Sequence, residues 1–119
     1  MSDIRDLLES GADANTKDAN GFTLLMSFAK KNDIASMRLL LDYAAEINVK
    51  DILNFTALDY AIKEHNFEAV KFLVENGAHV SEDTYMYALK TKHKEMVKYF
   101  DSLDPQKHVF LKNKKRYYH

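Results

Sequence analysis

The side chains best equipped for catalysis or metal binding are few in this chain, and they are poorly placed for either. His65, His79, His93, His108 and His119 are scattered, with no two at the spacing of paired metal ligands. There is no cysteine, so thiolate nucleophiles, thiolate metal sites and disulfides are all excluded. The adjacent carboxylates Glu82 and Asp83 fall on a turn, where N-capping accounts for them. The sequence has neither a glycine-rich phosphate loop nor a G-x-S-x-G elbow. It therefore predicts no catalytic residue, no cofactor and no bound metal, and a protein that is not an enzyme.

Recognition chemistry remains. Two short stretches stand out: Ala19, Asn20 and Phe22 in one, and in the other Ile52, Leu53 and Phe55, three large apolar residues. Apolar residues on a solvent-facing turn are costly unless something covers them. Either a partner does so, or Ile52 and Leu53 fold against Ala19 and the neighbouring turn. A second set is basic. Lys30, Lys63 and Lys90 occupy equivalent places, flanked by Lys31 and Glu64. They form either a row facing an acidic partner or a solvated face. A further basic column, Arg5, Arg38, Lys71 and Lys98, is expected to be partly neutralised by Glu9, Asp42 and Glu75, four residues on.

These side chains are positioned by a repeat of 33 residues. Asp18-Ala19-Asn20-Gly21-Phe22-Thr23 returns as Asp51-Ile52-Leu53-Asn54-Phe55-Thr56, and Gly11-Ala12 returns as Ala44-Ala45 and Gly77-Ala78. Such a period marks a solenoid, in which units too small to bury their own apolar faces share one core by stacking. Within a unit, Asp51 to Phe55 predicts a tight turn with a left-handed residue at Asn54, matching Gly21. Thr56 is expected to cap a helix to about Glu64, and His65-Asn66 to break it. A second helix follows from about Phe67 to Glu75, stopped by a left-handed Gly77. Ala44, at the Gly77 position, is expected to carry backbone strain.

The turn Asp18 to Thr23, the Leu39-Leu40-Leu41 run, and Val70-Lys71-Phe72-Leu73-Val74-Glu75-Asn76-Gly77-Ala78 resemble the ankyrin repeat. Leu24-Leu25-Met26 and Ala57-Leu58-Asp59 replace the family's Pro-Leu-His element. The resemblance implies an all-α solenoid of stacked helix pairs with short projecting β-turns, capped at both ends. Its expected divisions are a half-repeat 1–17, repeats 18–50 and 51–82, and a turnless cap repeat 83–105, within a domain 1–105. In the first segment Ile4, Leu7 and Leu8 align with Met37, Leu40 and Leu41, and Asp6 replaces Leu39, as an outward-facing cap requires. That pattern predicts an array beginning at this chain's own start. Beyond Asp104-Pro105, residues 106–119 are read as a basic capping helix (about 105 to 117, with Phe110 and Tyr117 on one stripe) or a basic tail.

Charge and composition narrow the partners. Residues 107–119 carry five basic side chains and no acidic one, leaving 12 basic against 18 acidic in the rest. No apolar run approaches the roughly 20 residues that span a bilayer. Absence of cysteine fits a reducing cytosol. The resemblance implies a module that binds another protein through Ala19, Asn20, Phe22, Lys30, Lys31, Ile52, Leu53, Phe55, Lys63, Glu64 and Lys90. A cytoplasmic monomer is expected, acting as adaptor, inhibitor or immunity protein, without nucleic acid or membrane. The alternatives are nucleic-acid or anionic-surface binding through the basic tail, and a self-assembling structural protein.

Overall fold

The computed structural model describes residues 2–103, with side chains from Ile4 onward. The helix or tail expected at 106–119 lies outside the described residues. The chain divides into two compact units between His79 and Val80.

The first unit holds five α-helices: α1 (Ser2–Glu9), α2 (Leu24–Lys30), α3 (Ile34–Asp42), α4 (Ala57–Lys63) and α5 (Phe67–Glu75). Each is seven to nine residues long, too short to persist alone in water. Local chemistry sets their limits. The Thr23 hydroxyl accepts the Met26 N–H at 3.2 Å, and the Thr56 hydroxyl accepts that of Asp59 at 3.3 Å. The Asp59 carboxylate returns the favour at the Thr56 N–H, 3.0 Å away, closing a capping box. Asp33 caps α3 through the Ser36 N–H at 3.1 Å and hydroxyl at 2.7 Å. The Ser36 hydroxyl bond holds the Asp33 carboxyl below its ordinary range, against the opposing effect of burial.

Left-handed residues end the helices at the repeat period. Asn32 (φ 57°) and His65 (φ 59°) turn the chain after α2 and α4. Gly11, Ala44 and Gly77, with φ of 105°, 67° and 100°, do so after α1, α3 and α5. The same hydrogen bond recurs at all three: Ala12 N–H to Leu7 C=O (2.9 Å), Ala45 to Leu40 (3.0 Å) and Ala78 to Leu73 (2.9 Å). These bonds satisfy carbonyls that a helix end leaves open.

Stacking then supplies the missing stability. α2 packs on α4, while α1, α3 and α5 succeed one another in a second layer. Leu25, Met26, Ala29, Met37, Leu40, Leu58, Ala61, Ile62, Ala69, Val70 and Leu73 fill the space between, each 2% exposed or less. Side chains pin the register. Asn15 donates to Ala44 C=O (3.2 Å) and accepts the Glu46 N–H (2.7 Å). Asn48 makes the same pair of bonds 33 residues later, to Gly77 C=O (3.4 Å) and from the His79 N–H (2.8 Å). Asn66 donates to both Ala29 and Lys30 C=O at 2.9 Å, and Asn32 accepts the Ala69 N–H at 3.0 Å.

Leu7 departs from the alignment. Its equivalents Leu40 and Leu73 are fully buried, yet Leu7 is 55% exposed. α3 and α5 each pack on a preceding helix, α2 and α4, and among the described residues none precedes α1. The charged column also differs from expectation. Lys71 Nζ pairs backward with Glu68 at 3.7 Å rather than forward with Glu75, and sits 4.7 Å from the Phe67 ring centroid. Arg38 lies over the Phe72 ring.

The second unit contains α6 (Glu82–Lys90) and α7 (Lys94–Leu103). Ser81 caps α6 by accepting the Thr84 N–H at 3.1 Å. Glu82 and Asp83 therefore occupy the first turn of the helix rather than a turn before it, where the helix dipole favours carboxylates. The Tyr85 hydroxyl donates to the Asp101 carboxylate, and the Tyr85 and Phe100 rings meet edge-on at 6.2 Å. His93 is structural: its Nδ1 accepts the Met96 N–H at 3.1 Å and so caps α7. Apart from one isolated bridge between Lys17 and Thr23, helices are the only regular structure among the described residues.

The left-handed cap position makes opposite predictions for two substitutions. Ala44→Gly removes a Cβ penalty and should stabilise by about 0.5–1 kcal/mol. Gly77→Ala should cost about 1 kcal/mol from φ alone, because the added Cβ would meet nothing within 4 Å. Urea midpoints of both variants check this, and a midpoint that falls for Ala44→Gly contradicts it.

Candidate functional site

Each turn tip is built around one aspartate. Asp18 Oδ1 accepts the N–H groups of Asn20 (2.8 Å) and Phe22 (3.0 Å), and the Asp18 C=O accepts the Gly21 N–H (3.0 Å). Asp51 repeats the arrangement with Leu53 (2.9 Å), Phe55 (3.0 Å) and Asn54 (2.9 Å). Gly21 (φ 75°) and Asn54 (φ 67°) are both left-handed, as the turn demands. Glycine is needed at the first for a second reason: a Cβ there would stand 3.2 Å from Asp51 Cα of the adjacent turn. The two tips are joined by the Ile52 N–H donating to Asn20 C=O at 2.9 Å.

Between the tips lies an open cleft of about 380 Å³, lined by Asp18, Asn20, Phe22, Lys30, Asp51, Ile52, Leu53 and Tyr60. Its floor is aromatic. The Phe22 ring meets Tyr60 edge-on at 5.4 Å, and Phe55 meets Tyr60 from another side at 5.2 Å. Lys30 reaches over this floor, with Nζ 5.8 Å from the Phe22 centroid and 5.6 Å from that of Tyr60, so the ammonium lies on both π-systems. The Tyr60 hydroxyl donates to Asp51 Oδ2. Burial pushes the Asp51 carboxyl up, but the Tyr60 hydroxyl and the Phe55 and Leu53 N–H groups together outweigh it and hold the group below its ordinary range. Burial and the neighbouring Asp51 carboxylate push the Tyr60 phenol up to about 12. At neutral pH the pair is a neutral phenol donating to an ionised carboxylate.

The structure brings Asn20, Phe22, Lys30, Ile52 and Leu53 together in this cleft. Ile52 and Leu53 are 70% and 65% exposed, so they do not fold away against the adjoining turn. Phe22 and Phe55 are half-buried around Tyr60 and form a floor rather than free anchors. Ala19 is exposed on the first tip, outside the cleft lining. Lys63 ends α4, followed by Glu64, and both are exposed; Lys31 lies over the Phe28 ring. Lys90 ends α6 in the second unit. Asp18, Asp51 and Tyr60 belong to the cleft but were not singled out by their sequence pattern. The aspartates recur at the repeat period, which signals their turn role, whereas the equivalent of Tyr60 one unit earlier is Ser27. That mismatch was the available signal.

Among the described residues, no group of three or more His, Asp or Glu is placed to hold a metal ion, and no helix is long and apolar enough to cross a membrane. A family model described as ankyrin repeats, in three copies, matches residues 2–84. No curated protein matches the sequence.

The lowered Asp51 carboxyl ties turn stability to pH. Its contribution is fully present above the unfolded carboxylate's range of about pH 4 and drains away as pH falls through the lower folded value. Asp51→Asn should lose stability at neutral pH and show a shallower decline under acid. Tyr60→Phe, which keeps the ring but removes the donor, should cost about 1.5–3 kcal/mol. Urea midpoints measured from neutral to acid pH test both; an unchanged acid slope in Asp51→Asn would refute the assignment.

Proposed function

Because the chain belongs to the ankyrin repeat family, whose repeats are general protein–protein interaction modules, we propose that it captures a partner protein on the turn tips and the adjoining face of α2 and α4. The observation that carries this reading is the exposed pair Ile52 and Leu53 beside the aromatic cleft. Two large apolar side chains held on a rigid tip are suited to serve as anchors, each worth about 2 kcal/mol or more once covered.

Main-chain chemistry supports the same place. Asn20 C=O accepts the Ile52 N–H of the next tip. The equivalent carbonyl one unit later belongs to Leu53, and it has no partner among the described residues. A bound segment can extend the row by donating a main-chain N–H there while laying an apolar side chain on Ile52 and Leu53. Lys30, Lys31, Lys63 and Glu64 at the ends of α2 and α4 supply a charged rim. The tips are held by hydrogen bonds before any partner arrives, so little ordering entropy is lost by this side on association.

On this reading the protein is a non-enzymatic adaptor, inhibitor or immunity-type binder, monomeric and cytoplasmic, with a protein partner rather than nucleic acid or membrane. Ile52→Asp combined with Leu53→Ser should abolish partner capture from native lysate and leave the thermal midpoint almost unchanged, because neither side chain is packed. A large drop in that midpoint, or capture that survives both substitutions, defeats the proposal.

A further inference from the structure

We propose that Asn20 is a site of self-modification, where conversion to isoaspartate unpairs the two turn tips. The chain contains two Asn-Gly pairs, Asn20-Gly21 and Asn76-Gly77. In such a pair the following main-chain nitrogen has no Cβ beside it to hinder approach to the asparagine Cγ. The deprotonated Gly21 nitrogen attacks Asn20 Cγ, forming a C–N bond. The Cγ–Nδ2 bond breaks, and Nδ2 leaves as ammonia with a proton from solvent. Water then opens the resulting five-membered imide at either carbonyl, giving aspartate or isoaspartate. One water is consumed and one ammonia released, with no oxidant or reductant.

Tertiary structure separates the two sites. Asn76 Nδ2 donates to Phe72 C=O at 2.8 Å, which holds the amide along α5 and away from the Gly77 nitrogen. Asn76 also terminates that helix, with its own N–H on Phe72 and Leu73 C=O and the Ala78 N–H locking the next turn. Reaction there requires opening the helix end. Asn20 stands exposed on a tip, and its side-chain amide has no hydrogen-bond partner among the described residues. The Gly21 N–H itself is held by a 3.0 Å bond to Asp18 C=O, which must be released.

The product falls at a sensitive point. In isoaspartate the main chain runs through the former side chain, gaining a methylene, and the carbonyl that accepted the Ile52 N–H becomes part of a free carboxylate. That new charge joins Asp18 and Asp51 in a cleft holding one ammonium, Lys30. Loss of partner capture on modification rests on the docking role proposed above; the covalent change and the freed Ile52 N–H do not.

The test uses the full chain, incubated in mildly alkaline buffer at physiological temperature. Peptide mass mapping, isoaspartyl methyltransferase labelling and amide hydrogen exchange follow the reaction. Asn20 should convert at least about fivefold faster than Asn76, the factor that the Asn76 side-chain hydrogen bond alone, at about 1 kcal/mol, confers. In strong urea the two rates should converge. Exchange at the Ile52 N–H should accelerate with the isoaspartate fraction, and Asn20→Ser should keep that N–H protected through the same incubation. Asn76 keeping pace with Asn20 in the folded protein overturns the site; conversion at Asn20 without faster exchange at Ile52 overturns its consequence.

Discussion

A helix of seven to nine residues gains too few internal hydrogen bonds to offset the cost of starting it. Every helix of the first unit is that short, so each survives only by packing its apolar face against neighbouring helices of that unit. Close approach demands small side chains at the contact, and Ala29, Ala61 and Ala69 are fully buried there. It also demands a fixed offset, since a slip would break the side-chain hydrogen bonds that link one repeat to the next. Asn15 and Asn48 enforce that offset by satisfying a carbonyl and an N–H of the following unit. Burial supplies the energy here and the asparagines supply the register.

The candidate site is a by-product of the same constraint. Asp18 and Asp51 fold their turns by accepting two N–H groups each, and this places Asn20, Ile52 and Leu53 on projecting tips. Stacking then sets one tip beside the next, close enough for the Ile52 N–H to reach Asn20 C=O. Gly21 is where local and tertiary demands coincide, because its left-handed backbone also lies against Asp51. Tyr60 adds what the repeat pattern alone lacks. Its ring joins Phe22 and Phe55, and its hydroxyl steadies Asp51, so the cleft floor and the turn hold each other in place.

Much of the scaffold was legible because its determinants are local. Thr56 as a cap, the helix at Phe67–Glu75, and the left-handed Asn54 and Gly77 follow from side-chain hydrogen bonding and Cβ sterics within a few residues. Asn32 and His65 were harder: neither is glycine, and their left-handed turns are imposed by the need to reverse the chain within three residues. The expected pairing of Lys71 with Glu75 failed because Glu68 and the Phe67 ring, also on α5, offered the ammonium a competing position.

Residue type and spacing established the repeat and the places where the chain must turn, and the motifs they form resemble the family that the matching model shows. They could not say that Leu7 would stay exposed while Leu40 and Leu73 are buried, because burial depends on whether a neighbouring helix stands opposite. Nor could they gather Phe22, Lys30, Asp51 and Tyr60 around one cleft. Those contacts join side chains from two successive repeats of the first unit, and only the angle and separation at which those repeats stack bring them within reach.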